Sequence, residues 1–254
     1  MKRWLTGLAI LPLMSLSAHA APALDGGLSE AEAVLDRAIK ACGGVDRIGK
    51  VSVVVKASAC TILPDSVASR AVNYEISWQR PDRVRLEYAL GAAANSNYIR
   101  VLDGDASWIS VNGKVREAPK TALTLYGPER SVEFGAELLT FKGKGYTLTA
   151  LGKVKVDDQC VVGVKVSREG APDITLYFDR DTNLLFKRVV TIPSRAAGGN
   201  DTQVEILYED YKEADKIKYA SKVTIIRTGR KTEIKVTDFK TVDKLEDSLF
   251  KKPE

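Results

Sequence analysis

Histidine is almost absent from this sequence: the single example, His19, lies in an N-terminal segment that has the features of an export signal. Basic residues at the start precede an apolar run over residues 8–14, and Ala18 and Ala20 follow it as the small residues of an A-x-A cleavage site. These features predict a signal peptide over residues 1–20, cut after Ala20, and a periplasmic or secreted protein. The mature chain would then contain no histidine, which excludes Ser-His-Asp and Cys-His nucleophilic sites and HExxH zinc sites.

The sequence also has only a small excess of positive over negative charge, and it has few long apolar runs. Removing the signal removes Lys2 and Arg3, so the formal net charge falls from +5 to +3. Basic and acidic residues alternate over residues 83–87, which is typical of a solvated strand face and not of a nucleic-acid interface. No later run has the length of apolar sequence that spans a membrane. We expect no nucleic-acid partner, no transmembrane segment in the mature chain, and one domain over residues 21–254.

The three cysteines have a spacing that excludes common metal sites. Cys42, Cys60 and Cys160 form no Cys-x-x-Cys pair, and no histidine remains to complete a zinc site. One disulfide is compatible with an oxidising compartment, but the sequence does not select the pairing. The alternative is that each cysteine is a small buried apolar residue. We expect no metal and no cofactor.

One helix is predicted near the start of the mature chain. Ser29 and Glu32 have the spacing of a capping box, in which each side chain bonds the backbone of the other. Apolar residues then recur three and four positions apart over residues 31–42, as on an amphipathic helix. The Gly43-Gly44 pair predicts its end, because glycine tolerates the left-handed conformation found after helices.

From residue 51 onward the apolar period changes to two. Alternation and regularly spaced turns predict a mainly β fold of about ten or eleven antiparallel strands. Residues 119–142 interrupt the alternation and predict a short helical insert. A sheet of this size must curl, so we expect a strongly curved antiparallel sheet with the N-terminal helix on its concave side.

Three short motifs carry a resemblance to a known family. Residues 176–185 contain an aromatic-Asp pair, a Thr turn and paired leucines, residues 208–212 read Y-x-D-Y, and Phe250 and Pro253 form an F-x-x-P ending. These stretches resemble the LolA/LolB family of periplasmic lipoprotein carriers and receptors, and the layout matches over roughly residues 28–254. The resemblance implies an unclosed β-barrel covered by helices, and a role in carrying lipoproteins or lipids.

Acidic residues offer only weak candidates for chemistry. The segment 179–183 resembles the start of a calcium loop, but Leu184 and Val190 stand where such a loop needs Gly and Glu, so a hairpin turn is the better interpretation. A hydrolase without histidine would need two carboxylates across a cleft. The candidates lie on polar strand positions or in turns, which favours a solvated face: Glu75, Glu87 and Asp103.

Aromatic and aliphatic residues give the candidate site. Tyr74, Trp78 and Tyr88 lie on the apolar side of adjacent predicted strands. A curled open sheet has more concave surface than one helix covers, so these side chains line a cavity or, alternatively, fill a packed core. The sequence does not assign the last three residues of the predicted cavity lining to a particular face of the sheet. The full predicted lining is Tyr74, Ile76, Trp78, Leu86, Tyr88, Trp108, Tyr146 and Phe178.

Two hypotheses for function follow. The first is a non-catalytic periplasmic protein that binds a lipid or a lipoprotein acyl chain in this cavity and acts in lipoprotein or lipid trafficking. The alternative is a module of the same fold with a packed interior, which senses or binds envelope proteins through its outer face or sheet edges.

Overall fold

A computed structural model of the chain describes most of the predicted domain. The described residues are 29–62, 72–80, 82–89, 97–118, 135–192, 201–227 and 230–254. The predicted signal peptide over residues 1–20 lies outside them, and so does the larger part of the predicted helical insert, residues 119–134.

Helix α1, Glu30–Cys42, is the predicted amphipathic helix. The backbone N–H of Glu32 donates to Ser29 Oγ at 3.2 Å, and that of Ser29 donates to Glu32 Oε2 at 2.8 Å, so the predicted capping box is present. The residues of its apolar stripe are all buried: Ala31, Val34, Leu35, Ala38, Ile39 and Cys42. Gly43 ends the helix with a φ of 132°, and a short helix α2, Val45–Ile48, follows.

The rest of the described chain is dominated by β-strands. In chain order they are β1 Ser52–Ile62, β2 Val72–Gln79, β3 Arg83–Ala89, β4 Asn97–Asp103, β5 Ala106–Val111, β6 Lys114–Glu117, β7 Tyr146–Val156, β8 Gln159–Arg168, β9 Ala171–Asp179, β10 Leu185–Ile192, β11 Thr202–Ala214, β12 Ile217–Arg227 and β13 Arg230–Val242.

All thirteen strands form one antiparallel sheet that is not closed. Their order is β6-β5-β4-β3-β2-β1-β13-β12-β11-β10-β9-β8-β7, so β1 and β13 meet near its centre while β6 and β7 lie at its two ends. The mainly β, unclosed fold with an N-terminal helix is therefore confirmed. Strands β4 and β6 were not predicted, because β6 is almost entirely polar and β4 buries side chains on both faces.

Two short helices complete the described elements. Helix α3, Ala136–Phe141, falls within the predicted insert, and a 3₁₀-helix spans Asp247–Phe250. Helix α1 packs on β7, β8, β12 and α3. We call the sheet face that α1 covers the inner face and the opposite one the outer face. Within the described residues, no helix has the length and apolar character needed to cross a membrane.

Each face of the sheet carries its own apolar core. The larger core joins α1, α3 and the inner face. The smaller one lies on the outer face, where Phe250 of the 3₁₀-helix packs with Leu245 against Ile99 and Val101 of β4. Phe250 and Pro253 of the F-x-x-P ending are both buried, so this motif serves to attach the C-terminal segment to the sheet.

Candidate functional site

Residues of two neighbouring strands form a continuous apolar area on the inner face. The antiparallel register places Tyr74 opposite Tyr88, Ile76 opposite Leu86 and Trp78 opposite Val84. Directly opposite residues share a face, so all six point to the same side of the sheet. We call these six residues the β2–β3 patch.

The β2–β3 patch is covered unevenly. Ile76 and Leu86 are each 1% exposed and belong to the larger core. Trp78, Val84 and Tyr88 lie on the same face but are only partly buried, and the Tyr88 ring stacks on Tyr98 of β4 at 4.7 Å. An apolar surface thus stays partly accessible on the inner face, where aromatic side chains offer large contact area.

The sequence did not assign Tyr146 and Phe178 to a face of the sheet. In the structure both belong to the larger core, in the other half of the sheet. The Tyr146 ring meets Phe141 of α3 edge-on, with centroids 5.5 Å apart, and Arg168 lies over its other side at 5.3 Å. Phe178 is 2% exposed. Tyr146 therefore packs beside α3, and both residues lie on strands of the half of the sheet that does not carry the β2–β3 patch.

Trp108 lies on the outer face and is separated from the rest of the predicted set. It pairs with Val101 of β4 and packs against the smaller core. Its neighbour Ile109 points the other way. Because Trp108 and Ile109 are both apolar, the alternation of β5 does not reveal which of them faces inward. Of the eight predicted lining residues, the structure brings seven to the inner face, five of them in one patch.

A buried ion pair on the inner face was missed at the sequence level. Arg188 of β10 is 1% exposed, and its Nη1 donates to Glu137 Oε2 of α3 at 2.6 Å. Arg80, at the end of β2, donates to the carbonyl oxygen of Ala136 at 2.6 Å, and burial lowers the pKa of its guanidinium. Two arginines from opposite halves of the sheet therefore hold the first turn of α3.

The candidate carboxylates of the hydrolase hypothesis are engaged by neighbouring cations. Glu75 lies 3.6 Å from Lys56, and the Oε2 of Glu87 lies 2.8 Å from Arg85. Asp103 Oδ1 accepts a hydrogen bond from Arg83 Nε at 2.8 Å. Each carboxylate thus has a local partner on the strand surface, as expected of a solvated face.

The segment that resembles a calcium loop is a hairpin turn between β9 and β10. Asp179 Oδ1 accepts bonds from the backbone and the hydroxyl of Thr182, both at 2.7 Å. Burial raises the pKa of the Asp179 carboxyl, but these hydrogen bonds and one from Gln159 outweigh it and hold the pKa below its ordinary value. Its oxygens accept hydrogen bonds from the turn and from Gln159 of β8, and the described residues contain no cluster of three metal-ligating side chains.

The three cysteines lie in different elements of the fold. Cys42 is buried at the end of α1, and Cys160 is an exposed free thiol on β8. Cys60 lies in β1, and its side chain is outside the described part of the structure.

Comparison with known proteins identifies the fold. No protein-family model matches the sequence, and no curated protein matches it. Among solved structures, a LolA superfamily protein from Nitrosomonas europaea matches with a TM-score of 0.63 at 15% identity, over 89% of this chain and 99% of that one. A putative outer membrane lipoprotein-sorting protein domain from Vibrio parahaemolyticus matches with a TM-score of 0.60 at 15% identity, over 87% and 97%.

A third solved structure agrees. A DUF1329 family protein from Desulfovibrio piger has a TM-score of 0.58 at 12% identity, over 88% of this chain and 98% of that one. This chain therefore has the LolA-like fold, in a strongly diverged sequence. The resemblance seen in the short sequence motifs is confirmed at the level of the fold.

Proposed function

We propose that this protein is a non-catalytic periplasmic binding protein that holds the acyl chain of a lipid or lipoprotein against the inner face of its sheet. One observation carries the proposal. Trp78, Val84 and Tyr88 are apolar and point inward, yet they stay partly exposed beside the fully buried Ile76 and Leu86. An acyl chain laid along the β2–β3 patch would cover this remaining surface.

The size of the hydrophobic contribution supports this assignment. Burying about ten methylene groups at about 0.8 kcal/mol each supplies on the order of 8 kcal/mol before the cost of ordering the chain. Binding of that strength needs no polar motif. It is therefore compatible with a sequence in which we identify no catalytic or metal-binding motif. The fold likeness to a putative lipoprotein-sorting domain supports a lipoprotein or lipid as the cargo.

The two tryptophans of the expected mature chain provide a direct test. Trp78 lies in the β2–β3 patch and Trp108 on the outer face, so each reports on a different side of the sheet. We would purify the chain from Ala21 as Trp108→Phe, which keeps only Trp78, and as Trp78→Phe, which keeps only Trp108. Each would be titrated with a fatty acid brominated along its chain, which quenches tryptophan fluorescence by contact.

The proposal predicts saturable quenching of Trp78 and none of Trp108. Phenylalanine keeps an aromatic ring at either position, so the amount of bound lipid, measured by mass spectrometry after extraction, should be equal in the two variants. Equal quenching of both tryptophans, or quenching of neither, would contradict an inner-face acyl site.

A second candidate is binding of envelope proteins through the outer face or the sheet edges. The observation that favours it is the near-complete burial of Ile76, Leu86 and Phe178, as in an interior packed by its own side chains. Crosslinking in the periplasm, combined with lipid extraction, separates the two. A discrete protein partner and no lipid would favour this candidate.

A further inference from the structure

A basic hollow lies where the C-terminal end of α1 meets the turn between β11 and β12. Its volume is about 630 Å³. Four cations line it, with one amide and one carboxylate beside them: Arg37, Lys40, Lys216, Lys218, Asn183 and Glu213. We call this hollow the basic pocket.

The charges of the basic pocket are not balanced within the described residues. Several cations elsewhere on the sheet pair locally with carboxylates, as where Lys187 lies 2.8 Å from Asp157 and 2.7 Å from Glu205. By contrast, no ion pair in the described ranges joins any of the four pocket cations to a carboxylate. Four positive groups against one negative group around a shared concavity raise the local concentration of anions.

The turn that carries Lys216 has a left-handed backbone at both of its central residues. Asp215 and Lys216 have φ values of 49° and 63°, so both lie in the left-handed region. Tight hairpin turns of this kind prefer glycine at the second central position, because glycine has no Cβ to clash there. Here a lysine occupies it. This turn therefore carries a cation at a position where glycine would relieve the backbone.

Contacts on both sides fix this turn against the helix end. Arg47 Nε donates to the carbonyl oxygen of Asp215 at 3.0 Å, and Thr241 donates to its carboxylate. A Cβ built on Gly43 would lie 2.5 Å from the carbonyl oxygen of Lys216, so only glycine allows the helix and turn to meet this closely. Lys216 and Lys218 are thereby held beside the cations of α1.

The helix dipole accounts for only one of the four cations. Lys40 lies in the last turn of α1, where a positive charge is favourable without any ligand. Arg37 lies one turn earlier, and Lys216 and Lys218 belong to the hairpin. The backbone N–H groups of Gly43 and Gly44 cap the carbonyls of Lys40 and Ile39, which limits the negative potential at the helix end.

We propose that the basic pocket binds a phosphate group, presented by the headgroup of a lipid. A guanidinium with several ammonium groups is suited to the multiple oxygens and charge of a phosphate. The hollow has room for a headgroup around the phosphate. Ala41 in its wall also packs against the larger core, to which the buried residues of the β2–β3 patch belong. The assignment to a lipid rests on the proposed function, whereas the phosphate site does not.

The test compares two charge-matched variants of the chain from Ala21. The pocket variant is Lys40→Gln/Lys218→Gln, and the control is Lys153→Gln/Lys235→Gln, which removes two exposed lysines outside the pocket. Each is measured with glycerol 1-phosphate and inorganic phosphate by calorimetry, and by flotation with phosphatidylcholine vesicles with and without phosphatidylglycerol. We expect the pocket variant to lose about tenfold in affinity for the phosphate probes, while the control keeps the wild-type affinity.

The comparison of ligands identifies the source of the phosphate, and the comparison of variants tests the site itself. Tighter binding of glycerol 1-phosphate and of phosphatidylglycerol vesicles than of inorganic phosphate supports the lipid headgroup, and equal binding of inorganic phosphate overturns that source. Equal losses in both variants, or no binding by wild type, overturn the site itself. Quenching of Trp78 by the brominated chain is measured in the same samples, so failure of the acyl site is seen separately.

A single variant separates loss of binding from loss of folding. Lys216→Gly removes one pocket cation and places glycine where the backbone favours it, so its melting temperature should not fall. We expect weaker phosphate binding at unchanged or higher Tm. Unchanged affinity would remove Lys216 from the site and contradict the pocket as described.

Discussion

The guanidinium of Arg188 donates a 2.6 Å hydrogen bond to the carboxylate of Glu137, and both groups are buried on the inner face. Taking two charges out of water is unfavourable, and their attraction offsets this only while both partners remain. The pair therefore ties α3 to β10, and its members depend on each other.

Removing one partner of this pair should destabilise the protein strongly. Arg188→Met removes the cation that lies beside the buried Glu137 carboxylate, and we expect a loss of about 3 to 5 kcal/mol in the free energy of unfolding. The double variant Arg188→Met/Glu137→Leu replaces both charges with apolar groups and should recover most of that loss. Urea unfolding of the two single variants and the double variant measures the coupling, and a loss below about 1 kcal/mol for Arg188→Met would contradict it.

Acid stability should depend on Asp179. Because the folded state lowers the pKa of this carboxyl, the carboxylate contributes stability above its unfolded pKa near 3.8, and that stability is lost as the pH falls through the folded value. Asp179→Asn should cost roughly 1 kcal/mol at neutral pH and flatten the pH dependence below about pH 4. Urea unfolding across pH tests this. The exposed neighbour Asp181→Asn is the control, and an equal effect there would contradict the assignment.

The C-terminal segment should contribute substantially to stability. Phe250 is fully buried in the smaller core, with the Arg83 guanidinium 5.6 Å from its ring centroid. Phe250→Ala should cost about 3 to 5 kcal/mol, as large-to-small changes in cores do. Thermal unfolding compared with the exposed neighbour Lys251→Ala checks this. Similar melting temperatures for the two variants would show that the segment does not hold the sheet.

The contact between Gly43 and the β11–β12 turn should be sensitive to a single methyl group. Gly43→Ala meets the carbonyl oxygen of Lys216 and also has a positive φ, so we expect a loss of about 2 to 3 kcal/mol. Gly113 has a φ of 75° with open space around it, so Gly113→Ala should cost only about 1 kcal/mol. Equal losses in denaturant unfolding would mean that the helix and turn do not touch as described.

Local signals predicted much of the fold correctly. The capping residues Ser29 and Glu32 and the stop at Gly43 define α1, and the two-residue period predicted most strands, because each signal is contained in a few consecutive residues. The same holds for the β2–β3 patch, whose members alternate along adjacent strands. These features need no knowledge of distant partners.

The missed features depend on pairing between distant parts of the chain. The partner of Arg188 lies on a helix fifty-one positions earlier in the sequence, so only the folded chain brings the two together. The side of the sheet that Trp108 faces depends on its register with β4. The basic pocket joins α1 to a hairpin far along the sequence. One sequence signal could have indicated the buried ion pair. Arg188 is a basic residue at an inward-facing position of its strand.

The position of β1 beside β13 governs when this molecule can finish folding. Ser52 pairs with Val242, so the first and last strands form a seam in the middle of the sheet. Contacts between residues so far apart in sequence are slow to form. Until β13 is present, strands β1–β6 and β7–β12 form two meanders with no strand pairing between them. The two halves of the sheet are therefore joined only when the last strand of the chain is in place.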